Sequence, residues 1–254
     1  MTQTQTQTQT QMQTQPRTET RTGMALVLIC DCDGVLIDSE AVAAAMLVRE
    51  LEARWPDAEV APVVMPLLGL RIERVLEGAA AQLGKQFAGG DIEAIRTKVE
   101  AAAVQAPTVN GVGDALAQIV LTKACASNSF RPYVEAALAR TGLVKFFGDR
   151  LFCADSVPRP KPAPDVYLAA ARGLNVTPDA CLVVEDSVTG VTAATAAGMT
   201  VIGFIGGGHT SDAQIDALRA AGAQQVFDDM RRLPELVARW TQHHATHGDT
   251  SWLA

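Results

Sequence analysis

Residues Ala25 to Glu40 read ALVLICDCDGVLIDSE. An apolar run suited to a strand buried on both faces ends in Asp31, Cys32, Asp33 and Gly34. Two carboxylates one residue apart are a costly way to finish a buried strand unless other groups meet them there. The remaining sequence supplies such groups, always at the ends of similar strands.

Short apolar segments alternate with helical ones along most of the chain. TKACAS, RLFCAD, ACLVVED, TVIGFIG and QQVF read as strands; RPYVEAALARTG, PAPDVYLAAARGLN, TGVTAATAAG and SDAQIDALRAAG read as helices stopped by Gly or Asn. This alternation predicts a doubly wound α/β fold, a parallel sheet with helical crossovers on both faces. One stretch breaks it. From Glu40 to about Pro107 there are only helical patterns, such as SEAVAAAMLVRELEARW, RIERVLEGAAAQLG and DIEAIRTKVEAAA. The expected organisation is a core made of residues 24–39 and 108–242, with a helical cap, 40–107, inserted after the first strand. An insert there overhangs the carboxyl ends of the strands, where α/β proteins bind ligands.

The two ends differ from this pattern. Residues 1–23 are rich in Gln and Thr, with neither the charged start nor the apolar stretch of a signal peptide. They are expected to be a disordered tail, with Met24 as an alternative start. Residues 243–254 are expected to fray, although His243, His244 and His247 have a spacing that could catch a metal.

Composition narrows the function classes. The 254 residues are 48% hydrophobic and carry a formal net charge of −7, which argues against general nucleic-acid binding. No apolar run approaches a membrane span. Cys30, Cys32, Cys125, Cys153 and Cys181 form no CxxC pair and read as small buried hydrophobes of a reducing, cytoplasmic protein. The expected partner is a small molecule, and the chain is expected to act as a monomer.

Parallel neighbours lie about 4.8 Å apart, so their carboxyl ends share one edge. That edge gathers Asp31 and Asp33 from the first strand, Ser127, Asn128 and Ser129 from the second, and Glu185 and Asp186 from the fourth. Lys161 falls in RPKPAPD, a loop just before a helix. Each close carboxylate pair repels by about 1–4 kcal/mol, so the cluster asks for a cation. An all-oxygen ligand set favours Mg²⁺ over zinc or copper. With Ser127 and Lys161 for the remaining oxygens, the pocket reads as a phosphoryl site.

The segments DCDGVLIDSE, ASNS, RPKPAPD and VVEDSVTGVTAATAAGM, in that order and with a cap between the first two, resemble the motifs of the haloacid dehalogenase superfamily. Within it they are similar to the β-phosphoglucomutase-like branch of sugar-phosphate phosphatases and mutases. The resemblance implies that Asp31 is the nucleophile, forming an aspartyl-phosphate, and that Asp33 is the general acid and then the base. It implies that Ser127 and Lys161 hold the phosphate, and that Asp31, the Asp33 carbonyl, Glu185 and Asp186 hold Mg²⁺. Asn128 is a further candidate for binding the substrate. A second carboxylate favours phosphoryl transfer over dehalogenation, because an alkoxide benefits from a proton donor and a halide does not. Asp38 reads best as a helix cap.

Substrate choice is expected in the cap. LLGLRIERVL resembles the segment that faces the site in mutases, where an arginine holds a second phosphate; Ile72 stands at that place, with Arg71 and Arg74 nearby and Arg71 the candidate contact. A histidine that mutases carry near the first motif is replaced by Ala43. The expected function is therefore a Mg²⁺-dependent phosphatase of a sugar or sugar-acid phosphate. The alternatives are a phosphosugar mutase, a receiver-like signalling domain, which has no cap, and a silent binding protein. His209, after the fifth strand, is a further candidate for the pocket edge.

Overall fold

A computed structural model of the chain describes residues 25–67, 72–206 and 212–247. Met24 and the Gln-Thr repeat before it, Arg71, His209 and residues 248–254 lie outside the described residues.

Each expected strand segment forms a strand: β1 (Val27–Cys30), β2 (Thr122–Ser127), β3 (Leu151–Cys153), β4 (Cys181–Glu185), β5 (Thr200–Phe204) and β6 (Gln225–Phe227). They make one sheet in the order β3-β2-β1-β4-β5-β6, with every pairing parallel. Side chains alternate across a strand, so one apolar run feeds two cores. Leu28 and Cys30 of β1, with Leu182 and Val184 of β4, enter one layer. Val27 and Ile29, with Cys181 and Val183, enter the other. All five cysteines are buried and unbridged.

The connection from β1 to β2 is helical: α1 (Ser39–Arg54), α2 (Ala61–Val64), α3 (Ile72–Leu83), α4 (Asp91–Val104) and α5 (Val112–Gln118). The first four enclose a separate apolar cluster around Leu51, Trp55, Val64, Leu76 and Ile95. Lys98 and Arg54 both reach the buried Glu50 carboxylate at 2.9 Å, which ties α1 to α4. The later crossovers are α6 (Arg131–Arg140) with the short α7 (Val144–Phe147), α8 (Asp165–Gly173), α9 (Val188–Ala196) and α10 (Asp212–Ala221).

The last helix, α11 (Leu233–His247), runs five residues past the expected start of the frayed tail. Packing explains the difference. Trp240 is buried and stacks edge-on to His244, whose Nε2 lies 3.0 Å from the Asp179 carbonyl. Among the described residues the histidines join no group with metal-ligand spacing.

Strand order reverses between β1 and β4, and a crevice opens outside the carboxyl ends at such a switch point. Beyond β4, Ser187 caps α9 by accepting from the Gly190 amide at 3.0 Å. Gly190 lies so close to the β4 end that an added Cβ would come within 1.7 Å of Glu185 Oε1. Gly190→Ala should therefore lower stability by about 1–3 kcal/mol in denaturant melts, the usual cost of overpacking. Gly113→Ala in α5, with nothing within 4 Å of its Cβ, should be neutral or stabilise by up to about 1 kcal/mol.

Candidate active site

The β1 ladder continues one residue beyond the strand, through the Asp31 amide to the Val184 carbonyl at 3.0 Å. The chain then turns back: the Gly34 amide donates to Ile37, and those of Leu36 and Ile37 donate to Cys32. Gly34 has a φ of +76°, and a Cβ there would meet Asp186 Oδ2 at 1.7 Å. A glycine is thus needed twice over, for the turn and for the approach of β4.

Asp31 and Asp33 reach the same sheet edge but meet different partners. Asp31 faces Lys161, whose Nζ lies 2.6 Å from Asp31 Oδ1, 2.6 Å from Glu185 Oε1 and 2.9 Å from the Ala126 carbonyl. Asp33 instead accepts from Ser39 and Tyr133 on Oδ1, each at 2.7 Å, and from Ser129 on Oδ2 at 2.8 Å.

The lysine is almost wholly buried, with 3% of its side chain exposed. Burial works against its charge, but Asp31 and Glu185 outweigh burial and hold the ammonium well above its usual range. The Tyr167 ring lies 4.9 Å away and its hydroxyl donates to Glu185 Oε1 at 2.8 Å. The other oxygen, Glu185 Oε2, accepts from the Asp186 and Ser187 amides and the Ser187 hydroxyl. Glu185 is therefore bound first to the protein.

Asp186 is different. Among the described residues no donor reaches its carboxylate, which lines the neighbouring cavity. Burial pushes its carboxyl well above the usual range, with Glu40, Glu185 and Asp31 adding to the effect. Burial likewise pushes Asp31 up; Lys161 pulls it back, and Glu185 and Asp33 push it up again. One ammonium is too little positive charge for this cluster. Oxygens of Asp31, Glu185 and Asp186 lie within 4.8 Å of one another, so the donor set fits a hard divalent cation. Such an ion would keep Asp31 ionised.

Ser127 is buried at the end of β2, and its Oγ accepts from the Ser129 amide at 3.0 Å. Asn128, expected at the substrate, lends its side chain to the Lys161 loop. Its Oδ1 accepts from the Lys161 amide at 2.8 Å and its Nδ2 donates to the Lys161 carbonyl at 3.1 Å, clamping the lysine loop to β2. Asp38 occupies the cap position of α1 but makes no side-chain cap bond, and it faces the cavity. The cap residue therefore has its carboxylate free for the pocket. Arg74 lies on the exposed face of α3, paired with Glu77 at 3.1 Å.

Sequence reasoning missed Glu40, Ser39, Tyr133 and Tyr167. The first two belong to the DSE that closes the opening motif, a signal that was available. The tyrosines lie in helices that begin just beyond Ser129 and Lys161, and only packing brings them back to the strand ends.

The cavity beside Asp186 measures about 620 Å³ and lies between the strand ends and the inserted helices. Asp38, Glu40, Thr189 and Gln214 supply polar wall, and Ala43, Leu47, Ile72 and Val75 supply apolar wall.

With this geometry in view, comparisons with known proteins agree closely. A family model described as haloacid dehalogenase-like hydrolase matches residues 26–198. The 6-phosphogluconate phosphatase of Escherichia coli K12 is 25% identical over 80% of this chain and 90% of its own length. The validoxylamine A 7'-phosphate phosphatase of Streptomyces hygroscopicus subsp. limoneus is 32% identical over 68% of this chain and 82% of its own. The crystal structure of a haloacid dehalogenase-like protein from Agrobacterium tumefaciens superposes with a TM-score of 0.75 at 31% identity, covering 84% of this chain and 98% of that one. A strand edge that gathers acids around a buried lysine, together with phosphatases among the relatives, makes the protein a phosphoric monoester hydrolase; the chain belongs to the haloacid dehalogenase-like hydrolases.

Proposed function

We propose that the chain is a Mg²⁺-dependent phosphatase that hydrolyses a small sugar phosphate through an aspartyl-phosphate on Asp31. The observation that carries the reading is the division of labour between the two carboxylates. Asp31 sits in the cationic pole with Lys161, beside Asp186, while Asp33 sits apart among three hydroxyls. A nucleophile and an acid need such different surroundings.

Asp31 Oδ2, the oxygen not bonded to Lys161, would attack phosphorus as the ester P–O bond breaks. Asp33 would deliver its proton to the departing alkoxide. It would then take a proton from water as the water oxygen attacks phosphorus, releasing inorganic phosphate and regenerating Asp31. Ser127 and the Lys161 ammonium are placed to bind phosphate oxygens. Asp31 and Asp186 would hold Mg²⁺, joined by the Asp33 carbonyl, with Glu185 adding charge from behind Lys161; when bound, the ion offsets the phosphoryl charge.

The cavity favours hydroxyl-rich substrates. Asp38 and Glu40 accept hydrogen bonds well and repel a second anion, and no lysine or arginine lines it among the described residues. A neutral sugar phosphate therefore suits it better than a sugar acid. Ile72 and Ala43, the two departures from the mutase pattern, both lie in this wall as apolar surface. They support hydrolysis over mutase chemistry, which needs a grip on a second phosphate.

Two outcomes test the reading. Activity in a screen of sugar phosphates should require Mg²⁺ and be inhibited by Ca²⁺, whose looser shell spoils in-line geometry; full activity in excess chelator would refute the metal assignment. Asp33→Asn should slow the pre-steady-state burst of alcohol from a sugar ester by about 10²–10⁴-fold. The burst of p-nitrophenolate, a leaving group that needs no proton, should slow far less. Equal slowing for the two esters would remove Asp33 from the acid role.

A further inference from the structure

Tyr133 lies outside the motif segments, in the first turn of α6. It is half-buried and packs on the same core layer as Cys32, next to both aspartates in sequence. Its phenol is one of three hydroxyls on the Asp33 carboxylate, and the three come from different parts of the chain: Ser39 from the start of α1, Ser129 from the loop after β2, and Tyr133 from α6. Burial, then the charge of Asp33 and the bond to it, hold the phenol above its ordinary range, so the bond is donated by a neutral hydroxyl.

An aspartate rotates about two bonds, and a single donor leaves it free to swing about that contact. Donors from three directions fix both oxygens. Ser39 alone would tie Asp33 to the inserted helices, because Ser39 opens α1. Tyr133 and Ser129 tie it to the sheet, so the carboxylate keeps its aim whatever the position of those helices. We propose that Tyr133 is a positioning residue for the proton-transfer step, setting where Asp33 points and thereby how fast it delivers a proton to the leaving alkoxide. The inference rests on the phosphatase reading above, in which Asp33 is the acid. Tyr133 acts through Asp33 and needs no contact with the substrate.

Tyr133→Phe keeps the ring and removes only the oxygen. The burst of alcohol from a sugar phosphate should slow by about ten- to a hundredfold, the scale of an ångström-sized misplacement. The p-nitrophenyl phosphate burst should change by less than about threefold, since that leaving group needs no acid. KM should hold, because ground-state binding is untouched. In an Asp33→Asn background, where the acid is already gone, adding Tyr133→Phe should change neither burst, the signature of residues acting as one unit. Tyr133→Leu, read the same way, serves if the phenylalanine variant melts early.

An undiminished sugar-ester burst would overturn the proposal, as would equal slowing of the two esters or an equal further loss in the Asp33→Asn background. The acid role of Asp33 and the positioning role of Tyr133 fail on different outcomes. If Asp33→Asn itself shows no leaving-group contrast, the acid assignment fails and the inference falls with it. If Asp33→Asn shows the contrast and Tyr133→Phe does not, the inference alone fails.

Discussion

A single buried ammonium organises this molecule. Lys161 Nζ stands 2.6 Å from carboxylates at the ends of two adjacent strands, Asp31 from β1 and Glu185 from β4. Burial pushes the Asp31 carboxyl up and Lys161 pulls it back; removing one partner of such a buried pair costs about 3–5 kcal/mol. The lysine arrives from a loop that belongs to neither strand and is held by Asn128 at the end of β2. Three strand ends are thereby locked around one cation. The lock is incomplete, because Asp186 adds a carboxylate with no donor among the described residues. The negative charge left over fits a divalent cation.

The second pole is built from neutral donors. Ser39, Ser129 and Tyr133 orient Asp33 through hydroxyl donors, whereas Asp31 meets the full charge of Lys161. In the proposed mechanism these two aspartates, separated by one residue, serve as nucleophile and as acid. The turn from Cys32 to Ile37 carries the chain back at this point, and Asp186 packs against Gly34 within it.

Much of this was legible in the sequence because it follows from periodicity. Six apolar runs fixed the strands, and reading the polar residue after each run placed Asp31, Ser127, Glu185 and Asp186 on one edge. Glycine stops such as Gly198, with φ of +80°, marked where helices end. Contacts made by helical side chains folding back were not legible. Tyr133 and Tyr167 look like ordinary core aromatics until packing brings their hydroxyls to Asp33 and Glu185. The clamp from Asn128 to the Lys161 loop, and the missing side-chain bond of Asp38 at the α1 cap position, were not legible for a related reason: a polar residue at a strand or helix end has several satisfactory partners, and only the fold selects one. The reach of α11 to His247 depends on a contact with Asp179, far away in sequence.

In the proposed mechanism Asp31 carries the phosphoryl group. An acyl phosphate is reduced by borohydride to the alcohol, which would convert the side chain of residue 31 to that of homoserine. The enzyme should be quenched into borohydride during turnover of a sugar phosphate, ideally as the Asp33→Asn variant, in which the intermediate lasts longer. Peptide mass spectrometry should then find the reduced side chain at position 31 in the presence of substrate and not in its absence. Reduction at Asp33 or Asp186 instead, or an unmodified Asp31 under conditions that yield a burst of product, would contradict the account.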